Sequence, residues 1–133
     1  MGYTHYWEND INAVSRVIGW GEAIEDCKRI IDKSPVELDV DDCNLDGICL
    51  NGVEGEAYET FHIDYKDGSF CKTEHRPYDV VVVAILARMA EVDGFTVSSD
   101  GDRKEWAKGV ALASKILGRK IENPIEPSEN LWS

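Results

Sequence analysis

Hydrophobic positions change their spacing several times along this 133-residue chain, and each change marks an element. Residues 2–8 alternate, with Tyr3, His5 and Trp7 on one side and Thr4 and Tyr6 on the other, which is the period of a strand. From Asp10 to Lys33 the spacing lengthens. Val14, Val17, Ile18, Ile24, Cys27, Ile30 and Ile31 form one stripe, which predicts a helix capped by Asp10 and ended by Ser34-Pro35. Gly19 and Gly21 around Trp20 predict a kink there, or two shorter helices. Short strands are predicted at 47–53, 58–65 and 69–74, and Asp67-Gly68 suits a tight hairpin between the last two.

The run Val80 to Glu91 opens with four valines, which favour a strand, yet it is too long for one and rich in helix formers. It is apolar nearly all round, so it predicts a central, largely buried helix with Pro77 in its first turn. Phe95 to Ser98 predicts a strand, and Asp100 or Asp102 caps a last helix from 103 that ends at Gly118. A strand between two helices implies a crossover. The pattern therefore predicts an α+β (mixed α/β) fold in a single domain, residues 1–120, with three helices and one mixed sheet of about five strands. Residues 121–133 form a C-terminal tail that can dock through Trp132.

The formal net charge is −12, and its distribution matters more than its size. Residues 1–67 hold five Lys/Arg against 16 Asp/Glu, whereas residues 68–133 hold nine against ten. The acidic half repels polyanions, so long nucleic acid is excluded as a partner and any anionic ligand is small and held by the second half. No apolar run approaches the roughly 20 residues of a bilayer span, and no signal-peptide pattern opens the chain. The expectation is a cytoplasmic protein with reduced thiols, since Cys27, Cys43, Cys49 and Cys71 form no Cys-x-x-Cys pair. Neither a metal nor a cofactor is expected. Asp42-x-Asn44-x-Asp46-Gly47 copies half of a calcium loop, but Val53 stands where the closing Glu belongs, and an acidic turn over 39–47 is the alternative.

Candidate chemistry concentrates where strands hand over to helices. Phe70 to Asp79 carries Lys72 and Arg76, cations that can hold phosphate or carboxylate, beside the hydroxyls of Thr73 and Tyr78. Ser98-Ser99-Asp100-Gly101-Asp102 offers a second polar junction. If the strands before the two junctions run parallel, both lie at one end of the sheet, where α/β ligand crevices form. The alternative is that Lys72 and Arg76 merely pair with nearby carboxylates. Tyr3, His5 and Trp7 share a face that either stacks a nucleobase or simply packs in the core. For catalysis the candidates are His5 and Asp100 as acid and base, with His62 in reserve. Cys71 beside Lys72 and His75 offers a nucleophile, although nothing sets a base against its sulfur.

Four blocks carry a family resemblance: Gly2-Tyr3-Thr4-His5-Tyr6-Trp7; Asn51-Gly52 with Glu59-Thr60-Phe61; Phe70-Cys71-Lys72-Thr73 with Arg76-Pro77-Tyr78-Asp79; and Val97-Ser98-Ser99-Asp100-Gly101 with Trp106. In this order, over residues 2–118, the chain resembles a family of small bacteriophage and prophage proteins of unassigned function. The resemblance implies a setting, the infected host cytoplasm, and no catalytic residues. Three readings follow from residues and setting together. The first is a homo-oligomeric protein that captures a small anion, a nucleotide signal of host defence, through Lys72, Thr73, Arg76, Ser98 and Ser99 with stacking by Tyr3, Trp7 or Tyr78. The second is a phosphodiesterase-like enzyme acting on such a nucleotide. The third is an acidic interaction protein, or nucleic-acid mimic, that covers a host protein.

Overall fold

A computed structural model describes residues 3–10, 12, 13, 16–41 and 47–126. Among them six strands and three helices follow in the order β1 (Thr4–Asn9), α1 (Arg16–Asp32), β2 (Leu38–Val40), β3 (Gly47–Gly52), β4 (Phe61–Asp64), β5 (Ser69–Lys72), α2 (Asp79–Met89), β6 (Phe95–Ser99) and α3 (Arg103–Leu117). The fold is α+β. The single mixed sheet is corrected: there are two antiparallel three-stranded sheets, ordered β5-β1-β6 and β2-β3-β4. The crossover from β5 through α2 to β6 does exist. β1 sits between those two strands and runs antiparallel to both, so they are parallel to each other but never paired.

The Asp67-Gly68 hairpin does not form, because β4 pairs with β3 and β5 pairs with β1. The chain instead changes sheets there. Asp64 Oδ1 accepts the N–H groups of Lys66 and Asp67, and Asn9 Nδ2 donates to the carbonyls of Asp64 and Asp67, which pins the passage to the end of β1. α1 starts later than its sequence pattern suggests, since Asp10 closes a turn through Ala13 N–H and Asn12 N–H. Helix geometry continues through Gly19 and Gly21. Burial of Trp20, Ala23 and Ile24 against the core outweighs the glycine cost of roughly 1 kcal/mol each. The half calcium loop and Cys43 lie outside the described residues.

α2 is the centre of the molecule, with every residue from Val81 to Met89 buried. α3 crosses it closely at Gly109, where an added Cβ would lie 2.4 Å from Val83 Cγ1, so only glycine lets the backbones meet. α3 begins with a complete capping box: Glu105 N–H donates to the Asp102 side chain, and Asp102 N–H donates to the Glu105 side chain. Beyond α3, Ile121 is buried, and Arg103 Nη1 donates to the carbonyls of Asn123 and Ile125. The tail therefore docks from its first residues; Trp132 lies outside the described residues. No helix among the described residues is long and apolar enough to cross a membrane.

Candidate functional site

Because β5 and β6 run parallel on either side of β1, both end beside its first residues: Lys72 faces Thr4, and Ser99 faces His5. The two outgoing segments are strapped to β1 by backbone bonds. Thr73 and Glu74 N–H donate to the Tyr3 carbonyl, while Tyr3 N–H donates to Glu74 Oε1 at 2.8 Å. On the other side Asp100 N–H donates to the Thr4 carbonyl, and Thr4 N–H donates to Asp100 Oδ2 at 3.1 Å. The two junctions meet.

Between them lies a buried polar cluster. Alternation along β1 turns His5 inward, where it is fully buried. Its Nε2 is 2.6 Å from Asp79 Oδ1, and its Nδ1 is 2.7 Å from Ser99 Oγ. Thr73 Oγ1 donates to the same Asp79 oxygen at 2.5 Å. A carboxylate only accepts, so in the neutral imidazole Nε2 carries the proton and Nδ1 accepts the Ser99 hydroxyl. Ser99 Oγ also accepts Gly101 N–H at 2.8 Å. Trp106 meets the imidazole edge-on, with centroids 5.2 Å apart. Gly101 is required here, since an added Cβ would sit 2.3 Å from the Tyr3 hydroxyl oxygen.

Leaving β5, the chain makes a strained turn in which Glu74 and His75 have φ of 52° and 58°, a left-handed pair without glycine. The turn lays His75 flat on Tyr3, centroids 3.6 Å apart. It also carries Arg76 to the rim of a cleft of about 750 Å³ between α2 and α3. Val36, Val80 and Leu112 give this cleft an apolar floor, and His75, Arg76, Lys108 and Lys115 line its margins. Asp79 is the one acid in the lining, and its Oδ1 already serves His5 and Thr73. A protein with a net charge of −12 thus presents one concave surface dominated by cations.

The helix starts themselves supply less than the sequence suggests. Arg76 N–H and Asp79 N–H close successive turns onto the carbonyls of Thr73 and Arg76, and the start of α3 is occupied by its own capping box. The remaining candidates separate. Tyr3 and Trp7 are buried, Trp7 edge-on to Phe61, with its indole N–H unpartnered among the described residues. Tyr78 is buried and donates its hydroxyl to the Glu59 carbonyl at 2.5 Å. These three rings pack the core, and none offers a face for stacking. Lys72 Nζ lies 5.9 Å from the Tyr58 ring centroid and the Arg76 guanidinium 5.7 Å from it, and neither side chain is neutralised by a carboxylate among the described residues. Ser98 is exposed on the opposite face from Ser99, near the solvent-facing Tyr6 and Phe70. Asp100 serves Thr4 and the Tyr6 hydroxyl, so the acid facing His5 is Asp79 instead.

His62 is exposed on β4, in the other sheet. The nucleophilic-cysteine reading fails on burial: Cys71 is fully buried, its Sγ donates to the Glu59 carbonyl, and burial pushes the thiol up to about 12. Burial also raises Tyr3, with Asp79 adding to the effect, and it raises Tyr78. Among the described residues no group of three or more His, Cys, Asp or Glu could hold a metal ion. Sequence reasoning missed Asp79, Lys108 and Lys115. Residues 103–120 carry six Lys/Arg against a single Glu, a local excess that stands out in an acidic chain and marks the cleft wall. No known family, curated protein or solved structure matches this chain.

Proposed function

We propose that this protein binds a small organic anion in the cleft between α2 and α3, and that a phosphorylated nucleotide is its ligand class. The observation that carries this reading is the charge of the cleft: Arg76, Lys108 and Lys115 all line it beside apolar Val36, Val80 and Leu112, and the lining acid is turned to other partners. Cations above a greasy surface suit a ligand with an anionic group and a flat apolar body. A volume of about 750 Å³ falls in the range of small-molecule sites. The strained Glu74-His75 turn supports it too, because strain of this kind persists where geometry is held for a purpose. Of the two cations anticipated from sequence, Arg76 lines the cleft with its guanidinium beside the Tyr58 ring, and Lys72, beside the same ring, lies outside the lining. In the phage setting implied by the sequence blocks, the nucleotide is a defence signal and the protein a sink for it.

The test is mass spectrometry of small molecules retained by protein purified from infected, immune-active cells. Wild-type protein is expected to carry a phosphorylated compound, released intact on denaturation, and the Arg76→Ala/Lys108→Ala/Lys115→Ala variant to come out empty though folded. Equal retention by both would remove the cleft from consideration.

A further inference from the structure

The polar cluster has a second property that anion binding does not use. Ser99, His5 and Asp79 form an unbroken chain, hydroxyl to imidazole at 2.7 Å and imidazole to carboxylate at 2.6 Å. Its polarity is that of an activated nucleophile: carboxylate holds one imidazole nitrogen as a donor, which leaves the other as an acceptor for the serine proton. Thr73 fixes the carboxylate and Trp106 the imidazole, so the base is locked in place. Ser99 itself is only half-buried. It lines a different cleft, of about 620 Å³, which runs along β6 beside Phe95, Val97 and Ile125 and which Ser98 lines as well, so that the two serines differ in their contact with His5 rather than in access to the cleft.

We propose that Ser99 is a catalytic nucleophile toward a small carboxylic ester whose acyl group lies in the β6 cleft, with His5 as its base and Asp79 as a positioning residue. Ser99 Oγ bonds to the acyl carbon as its proton passes to His5 Nδ1, and Asp79 faces the imidazolium that forms. The ester C–O bond breaks, and His5 returns the proton to the departing alkoxide. A water molecule then attacks the acyl carbon, giving its proton to His5, and Ser99 leaves with that proton restored. Backbone donors for the oxyanion are sparse: the N–H groups of Asp100 and Asp102 are held by the Thr4 carbonyl and by Glu105. One missing oxyanion donor costs a factor of roughly 100 to 1,000 in rate. Turnover is therefore slow, and the covalent adduct is the proper readout. This inference stands apart from the anion cleft, since either can hold without the other.

The experiment treats the intact protein with a fluorophosphonate, in which Ser99 Oγ bonds to phosphorus and fluoride departs, and maps adducts by peptide mass spectrometry. Ser98 is the internal control, adjacent and more exposed but on the face away from His5. The expected result is labelling of Ser99 on the order of 100-fold faster than Ser98, and loss of that advantage in Asp79→Asn. Labelling of Ser99 no faster than Ser98 would overturn the proposal. If Asp79→Asn proves unfolded by circular dichroism, the Ser99-to-Ser98 ratio in wild-type protein decides alone.

Discussion

The two strand-to-helix junctions at the end of the first sheet begin alike and finish differently. Each follows a parallel strand, each is strapped to β1, and each opens a helix. At the second, Asp102 and Glu105 satisfy the helix start reciprocally, and the turn is unstrained. At the first, α2 has no side-chain cap; the chain spends two left-handed residues to lift His75 and Arg76 outward, while Asp79 turns inward to His5. A helix start, then, says little about ligands until its donors are traced. Capped by its own carboxylate it is finished structure, and the first junction is where left-handed backbone has been accepted to bind Glu74 and His75 to Tyr3 and to carry Arg76 to the cleft.

The difference can be pressed by experiment. The largest effect is expected from Asp79→Ala, which orphans two buried donors, His5 Nε2 and Thr73 Oγ1. Urea denaturation should show a loss of about 3 kcal/mol, and a loss near zero would mean the cluster holds nothing together. Gly101→Ala, which drives a methyl into the Tyr3 hydroxyl, should cost about 2 kcal/mol by the same measurement. Alkali should act on the first junction. The Cys71 thiol ionises near its ordinary 9.0 in the unfolded chain but near 12 when folded. Between those values the unfolded chain binds fewer protons, so stability falls as pH rises, by about 1.4 kcal/mol per pH unit. Thermal melts from pH 8 upward check this, and Cys71→Ala should flatten the decline between pH 9.0 and 10.0, above which the buried Tyr3 and Tyr78 hydroxyls, raised from an ordinary 10.0, add their own loss. Asp102→Ala should be mildest, at about 1 kcal/mol, with anion retention unchanged. If it abolished retention instead, the second junction would be a ligand site after all.

Much of the architecture was readable from spacing: a buried central helix, an amphipathic last helix with its acid cap, and strands over 4–9 and 95–99. Pairing was not. β1 finds its partners 62 to 94 residues away, and a strand inserted between two others leaves no mark in their local sequence. Gly19 and Gly21 misled because propensity is local while the burial of Trp20 is not. In the site, His5, Thr73 and Ser99 could be picked as polar residues at junctions. An acid in the first turn of α2, such as Asp79, is ordinary at a helix start, and nothing in the local sequence says that it reaches back to His5. Lys108 and Lys115 stand on α3 at positions that carry no motif; sharing a lining with Arg76 is what makes them part of a cleft.

The insertion of β1 also bears on how the protein is made. During synthesis the first strand emerges with neither neighbour available, and its second partner ends only at Ser99. Until then Tyr3, His5 and Trp7 form an unsatisfied aromatic edge on a nascent chain. Closure of the first sheet is thus a late, long-range event, which favours slow folding and a need for protection on the way.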